Sequence, residues 1–454
     1  MDLYGQLVKK LLYPAWDEQI RRRPIGPRLR WLEQTERAPL HRLQALQARE
    51  LARLATHAYE HVPHYRAKMR ARGVEPRQLT PDTLARLPIL TRTDAAASVE
   101  ARRSQIDPRP TIRKTTGGTT GEPLVIEYDL DSEYWRQAVK LRGYAWAGYQ
   151  IGEPVVIYWG EPTKPGVPAL TRTKIAVDRG LKRESWIDCT PQGDDAMAAA
   201  VAEIRRRRPT AFICYAQAGA ELARYINRTG ARDWAPTAVI TGAEKVAPAD
   251  REALEQAFGP VFETYGCREL MLIGTECAAH DGLHLSMENL IVELVVRNGD
   301  DERPARPGEV GEVVVTDLHN LGAPLIRYAN GDLAVAAPPS EVCRCGRAHP
   351  RLASVEGRST ETLLDADGNR VGGMLFNLAF SPLADKVRQF QAVQHRDRSI
   401  TLKIVPGPGF DDGVIRHVET SCQRYLPGVS VTPELVDEIP LTTSGKRRIV
   451  IVES

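Results

Sequence analysis

Lys114 to Pro123 reads KTTGGTTGEP, with three glycines and four threonines in ten residues. Residues without a Cβ let backbone N–H groups close on an anion, and hydroxyls on every side add donors. The run is therefore a candidate phosphate loop, although a flexible hairpin turn accounts for the same composition. It is not a Walker loop. That motif, G-x-x-x-x-G-K-[ST], needs a lysine after its last glycine, whereas Gly121 is followed by Glu122 and Pro123. A lysine of the right kind stands far downstream, in PLTTSGKRRIV, where Lys446 follows Ser444 and Gly445. If the tail is a separate module, it can carry Lys446 to the loop, although most lysines in surface turns have no special role. ETYGCRE sets Glu269 just beyond a strand end, where one carboxylate plus phosphate oxygens can hold Mg²⁺. LIRYANGDLA sets Asp332 on a turn after a strand, suited to accept from ribose hydroxyls, and VEGRST sets Arg358 at a candidate hinge.

The cysteines form a second constellation. Cys343 and Cys345 share a turn with Gly346, and ECAAHDGLH offers Cys277, His280 and His284 upstream. Three thiolates and one imidazole would complete a four-coordinate structural zinc site. The long separation between Cys277 and Cys343 leaves reduced thiols in loops as the other reading. Cys267, inside ETYGCRE, is the weaker ligand candidate.

The elements that must position these residues follow from periodicity. Residues 1–90 read as helical, with apolar residues three and four apart between charges. Leu3, Leu7, Leu11 and Leu12 have helical spacing; the expectation is a helix packed on its own domain, with a membrane surface as the alternative. From about residue 110, strands alternate with helices, which predicts parallel sheet and an α/β body whose ligands collect at the carboxyl ends of strands. TTGG, TGAE and TYG are three such ends, and Trp146, Tyr158, Trp159, Tyr215 and Gln217 near strand ends could line an acyl pocket, although core packing is the more ordinary place for each aromatic. From about residue 283 the chain becomes strand-rich, and beyond Arg358 a strand–helix–strand pattern predicts a small α+β module. The expected divisions are a helical region at 1–90, the main body at 91–357, and a mobile module at 358–454.

The bulk numbers exclude other classes. With 454 residues, 42% hydrophobic and 26% charged, the chain can bury a sizeable core. A net charge of +3 and the lack of a basic aromatic stripe argue against nucleic acid. Seven cysteines, an odd and sparse set, disfavour a secreted disulfide framework. No apolar run of about 18 residues suggests a membrane span, so a cytoplasmic enzyme is expected.

TTGGTTGEP, TYGCRE, RYANGD, EGR and TTSGKRR stand in the order and rough spacing of the adenylate-forming superfamily. The chain most resembles its phenylacetate-CoA ligase branch, which includes the CapK-like capsular polysaccharide proteins, over nearly its whole length. The resemblance implies a large adenylate-forming body with mostly parallel sheets, a strand-rich subdomain and a small C-terminal domain that rotates between half-reactions. It implies an AMP-forming carboxylate ligase that takes ATP, Mg²⁺, a small carboxylic acid and coenzyme A. The alternatives without coenzyme A are acyl transfer to an amine or hydroxyl of a sugar precursor, and AMP transfer to a cofactor. Residue by residue, Thr116, Gly117, Gly118, Thr119, Thr120 and Gly121 would cradle the phosphates. Gly242, Ala243, Glu244, Tyr265 and Gly266 would flank the adenine, and Asp332 would hold the ribose. Glu269 would ligate Mg²⁺, Arg358 would contact ribose or phosphate, and Lys446 would stabilise the charge that develops at the α-phosphate. The resemblance also favours His284 over His280 in a zinc site with Cys277, Cys343 and Cys345, and a homodimer is compatible with it. Two positions depart from the pattern. Arg268 replaces the usual threonine, either as a benign variation or as a cation for phosphate or an acidic acyl group. Thr360, followed by Glu361, stands where the acidic hinge residue is usual.

Overall fold

Between residues 155 and 261 the parallel strands are short apolar runs such as VVIYW and AFICY, and only a sheet covered on both faces can bury them. The computed structural model describes the chain except for residues 1, 107–110, 116–123, 161–167, 192, 299–300, 339–341, 359–361, 369, 373–375, 377–378, 381–382, 384–385, 440–448 and 454. Strands β1 (Thr111–Thr115) and β2 (Val125–Asp129) form an antiparallel pair. Next come β3 (Val155–Trp159), β4 (Glu184–Asp188), β5 (Ala211–Tyr215), β6 (Ala238–Gly242) and β7 (Val261–Cys267). They lie parallel in the order β4-β3-β5-β6-β7. One face carries the helices Asp194–Arg207, Ala216–Thr229 and Pro248–Ala257 over a core that includes Phe212, Val239, Leu254 and Phe258. The other face buries Val155, Ile157, Ile213 and Ile240.

The sheet continues antiparallel. β8 (Met271–Glu276), β9 (Leu283–Leu285), β10 (Leu290–Asn298), β11 (Asp301–Pro304), β12 (Val310–Asp317), β13 (Tyr328–Ala336) and β14 (Arg351–Arg358) extend it to 12 strands. The strand-rich part predicted from about residue 283 is thus the other half of one sheet. The helix Leu130–Trp146 is bound to this half by two buried ion pairs, Arg136 to Asp317 at 2.7 Å and Arg142 to Glu288 at 2.6 Å.

The C-terminal residues form a sheet of their own. Its four strands, β15 (Val387–Gln394), β16 (Ile400–Pro406), β17 (Val431–Leu435) and β18 (Val450–Val452), run β17-β16-β15-β18. The helix Asp412–Tyr425 presents Val414, Val418 and Cys422, spaced four apart, to that sheet.

One expectation needs correction. Leu3, Leu7 and Leu11 do not pack on the domain; they are 86%, 44% and 62% exposed. The chain buries Gly5, Val8, Tyr13 and Asp17 instead. Trp146 takes the core reading. It stands edge-on to His284 and His349, between the guanidiniums of Arg142 and Arg347 at 4.7 and 4.5 Å from its ring. Tyr158 is likewise core, stacked on Phe212.

Candidate active site and metal centre

Parallel strands deliver their last residues to one edge. The ends of β3, β5 and β6 bring Trp159, Tyr215 and Gly242 together there, with the Trp159 and Tyr215 rings stacked at 3.8 Å. A Cβ on Gly242 would lie 3.2 Å from the Trp159 ring and 3.3 Å from the Thr264 hydroxyl, so a side chain there would crowd the aromatic pair. The chain then turns sharply at Ala243, whose φ of +69° is strained for a residue with a Cβ. Beyond it, the Glu244 carboxylate accepts the Gln217 backbone N–H at 3.2 Å.

The β7–β8 hairpin supplies the next wall. A register shift falls between Tyr265 and Gly266, and a Cβ on Gly266 would sit 1.9 Å from the Met271 carbonyl, so only glycine fits. Tyr265 donates its hydroxyl to Asp332 Oδ2 at 2.8 Å. Asn330 donates its amide to both groups, at 2.8 Å in each case, and its Oδ1 accepts the Asp332 N–H. Burial, reinforced by the Asp332 charge, pushes the Tyr265 hydroxyl well up, which keeps it a donor. Asp332 pairs in register with Arg358 on β14. Asn330 escaped the sequence reading, although it lies two residues before Asp332 and hence on the same strand face.

Glu269 is buried, and its Oε1 lies 3.1 Å from Arg92 Nη1 and 3.5 Å from the Tyr328 hydroxyl. Arg92 comes from the N-terminal region. Leu90 pairs with Tyr328 through Leu90 N–H to Arg327 O at 2.8 Å and Ala329 N–H to Leu90 O at 3.0 Å, which sets the next turn beside Glu269. No local pattern around Arg92 announces this. Burial, then the Glu269 charge, keeps Cys267 a neutral thiol, well above the usual range.

The β1–β2 pair closes at Thr115 opposite Val125 and holds the ends of the glycine-rich run together. Thr116, Gly117, Gly118, Thr119, Thr120, Gly121 and Lys446 lie outside the described residues. At the loop's root, Lys114 Nζ stands over the Tyr128 ring at 5.1 Å. Burial depresses the Lys114 ammonium, and the charges of Arg136 and Arg268 add to that effect. Two cations, Lys114 and Arg268, therefore act on each other beside the β1–β2 pair.

Some distance along the sheet, the donor atoms of Cys277, His284, Cys343 and Cys345 all lie within 4.8 Å of one another. Cys277 and Cys343 sulfurs are 3.6 Å apart, close to the ~3.8 Å expected of two thiolates sharing one tetrahedral Zn²⁺. Cys345 Sγ is 3.4 Å from His284 Nε2. The ring's other nitrogen, Nδ1, faces the His349 carbonyl at 3.2 Å, which fixes the tautomer that leaves Nε2 as a ligand. Burial pushes His284 down to about 4, so it is neutral near pH 7. Burial raises the Cys277 thiol to about 12, whereas Arg347 outweighs burial at Cys345 and lowers it. His280 instead faces Glu276 at 3.0 Å and is not part of the cluster. The donor set and its outer partners fit a structural Zn²⁺ site.

Residues 363–453 match the family model described as the CapK C-terminal domain. The phenylacetate-coenzyme A ligase of Thermus thermophilus is 26% identical over 381 residues, which are 80% of this chain and 81% of that protein. The enzyme of the same name from Aromatoleum evansii is 29% identical over 73% of this chain and 74% of its own. In three dimensions, the crystal structure of 2-hydroxyisobutyryl-CoA ligase in its postadenylation state superposes with a TM-score of 0.73. It covers 93% of this chain and 92% of its own at 19% identity.

Proposed function

We propose that this chain, a homologue of the phenylacetate-CoA ligases with the fold of the adenylate-forming CoA ligases, activates a carboxylic acid with ATP and passes the acyl group to coenzyme A. The observation that carries the reading is the Tyr265–Asn330–Asp332 triangle beside the carboxyl ends of β3, β5 and β6. It offers a preset acceptor for ribose hydroxyls next to a flat aromatic edge.

A carboxylate is a poor acyl donor because its leaving group would be oxide. Its attack on the α-phosphate of ATP forms acyl-adenylate and releases pyrophosphate; the thiol then displaces AMP and forms the thioester. In this reading Gly242, Ala243, Glu244, Tyr265 and Gly266 line the adenine, and Asp332 holds the ribose. Thr116 to Gly121 wrap the phosphates with N–H and hydroxyl donors. Arg358 reaches ribose or phosphate, and Lys446 neutralises charge at the α-phosphate in the transition state. Mg²⁺, when bound, screens the charge on the phosphate oxygens. Glu269 would hold it, and must exchange its contact with Arg92 for the metal to do so. Replacing Lys446 with alanine is expected to slow acid-dependent pyrophosphate release by about 10²-fold while leaving ATP affinity nearly intact. A wild-type rate would remove Lys446 from the first step.

The Cys277–His284–Cys343–Cys345 cluster is read as a structural zinc site. Purified protein should contain close to one zinc per chain by elemental analysis, and Cys343→Ser should lose it together with thermal stability. Metal retention should weaken as the pH falls, because protons then compete for the thiolates and, toward pH 4, for His284 as well. Zinc-free protein whose Cys343→Ser variant melts like wild type would rule the site out.

A second reading keeps adenylation but passes the acyl group to an amine or hydroxyl of a sugar precursor, and the match of residues 363–453 to a CapK domain favours it. Pyrophosphate release and acyl transfer assayed across acids, with and without coenzyme A, separate the two.

A further inference from the structure

We infer that the N-terminal helix docks this protein onto an anionic lipid surface. Leu3, Leu7, Leu11 and Ile20 are 86%, 44%, 62% and 68% exposed. In an α-helix a spacing of four residues drifts by about 40° at each step, so a stripe from 3 to 20 would wind round to the buried side. Here the winding is wider. Tyr13 N–H bonds to Val8 O, and Arg21 N–H bonds to Trp16 O at 2.9 Å; each spans five residues. Leu3–Leu7 is α-helical, and the wider turns at Val8–Leu12 and Ala15–Ile20 bring Leu11 and Ile20 back to the same outer side, with Val8, Tyr13 and Asp17 inside.

The helix is fixed firmly to the body. A Cβ on Gly152 would lie 2.8 Å from the Gly5 carbonyl, so the two backbones touch. Trp16 Nε1 donates to Asp178 at 3.1 Å, and Arg183 pairs with Asp2 at 2.6 Å. Beside it runs the helix Ala169–Lys182, whose Lys182 ammonium sits 5.4 Å from the Tyr13 ring. That helix exposes Leu170 and Val177, at 68% and 40%, together with Arg172 and Lys174. Lys10 is exposed on the first helix. The carboxylates of both helices are already neutralised: Asp2 by Arg183, Asp17 by Arg23, Glu18 by Arg30 and Asp178 by Lys182.

An apolar line flanked by lysine and arginine, with its acids paired off, is complementary to the headgroup region of an anionic bilayer. A second copy of the same face would bring these cations against each other, which costs energy. No described helix is long and apolar enough to cross a membrane, so the contact would be peripheral.

Flotation of the purified full chain with vesicles tests this. Equimolar phosphatidylglycerol and phosphatidylcholine should carry wild type upward at low salt, and phosphatidylcholine alone should carry much less. Leu7→Glu with Leu11→Glu should lower the floated fraction by about tenfold or more with an unchanged melting curve. Lys10→Glu with Lys174→Glu should weaken binding to anionic vesicles selectively. Leu435→Glu, at an exposed C-terminal position, should float like wild type. The inference is overturned if wild type stays soluble with anionic vesicles, or if the double leucine variant floats equally well. It is also overturned if sedimentation shows a dimer that this variant dissolves while neither protein binds vesicles.

Discussion

Asp332→Ala should lower kcat/KM for ATP in pyrophosphate release by about 10²- to 10³-fold, chiefly through weaker nucleotide binding. A hydrogen bond to a charged group contributes ~1.5–3 kcal/mol, and two ribose hydroxyls on one carboxylate account for that range. Orientation adds to it. Tyr265 and Asn330 both donate to Asp332 Oδ2 at 2.8 Å, so the carboxylate is aimed before nucleotide arrives. Tyr265→Phe should therefore cost less, roughly tenfold, since it loosens the acceptor without removing it. Nucleotide titration with steady-state pyrophosphate release measures both variants. An Asp332→Ala protein with wild-type ATP affinity would take the ribose away from this residue.

Glu288→Gln is expected to destabilise the body by about 3–5 kcal/mol, because it strands the Arg142 guanidinium without its counter-charge. Both side chains are almost fully buried, and the pair is 2.6 Å long. Glu288 also faces His349 Nε2 at 3.2 Å and accepts from the Thr35 hydroxyl at 3.1 Å. Burial by itself would raise this carboxyl, but Arg142 and His349 outweigh it and hold Glu288 well below the ordinary carboxylate range. The sign for stability follows. A carboxyl depressed in the folded state contributes fully above its unfolded pKa of about 4.5 and loses that contribution as the pH falls toward its folded value. Wild type should therefore lose this increment below about pH 5, and Glu288→Gln should not. Urea unfolding at pH 7 and pH 4 reads both effects. The double variant Arg142→Met with Glu288→Leu should be milder than either single change, since no lone charge remains. Equal stability of Glu288→Gln and wild type at pH 7 would mean that the pair does not hold the helix.

Much of this architecture was legible because periodicity and turn residues act locally. The apolar runs at 155–159, 211–215 and 238–242 could be read as strands, and their ends as one edge, without any knowledge of partners. The cysteine cluster was legible for a chemical reason: few residue types bind soft metals, so Cys277, Cys343 and Cys345 with one of two histidines could be named despite their separation, and the family resemblance pointed to His284 over His280. Arg92 could not. Its place beside Glu269 depends on Leu90 pairing with Tyr328, a contact across more than half the chain that leaves no trace in spacing. Aromatic type says nothing about direction, so Trp146 could be read either as core or as a pocket wall; its helix turns it toward the cysteine cluster. Helical spacing places Leu3, Leu7 and Leu11 on one side but does not say which side is buried, and the body takes Gly5, Val8, Tyr13 and Asp17 instead.

The rung between Leu90 and Tyr328 also bears on how the molecule can be divided. A division at residues 90 and 91 looks natural in the sequence, with helices before it and alternating strands after. In the structure it cuts between a residue hydrogen-bonded to β13 and the turn that carries the cation against Glu269. The helical region is therefore not an exchangeable appendage. A chimera that imports residues 1–90 from a relative replaces the Leu90 anchor that sets Arg92 beside Glu269. Exchange of modules would be safer farther down the chain, where the C-terminal sheet is built only from its own strands.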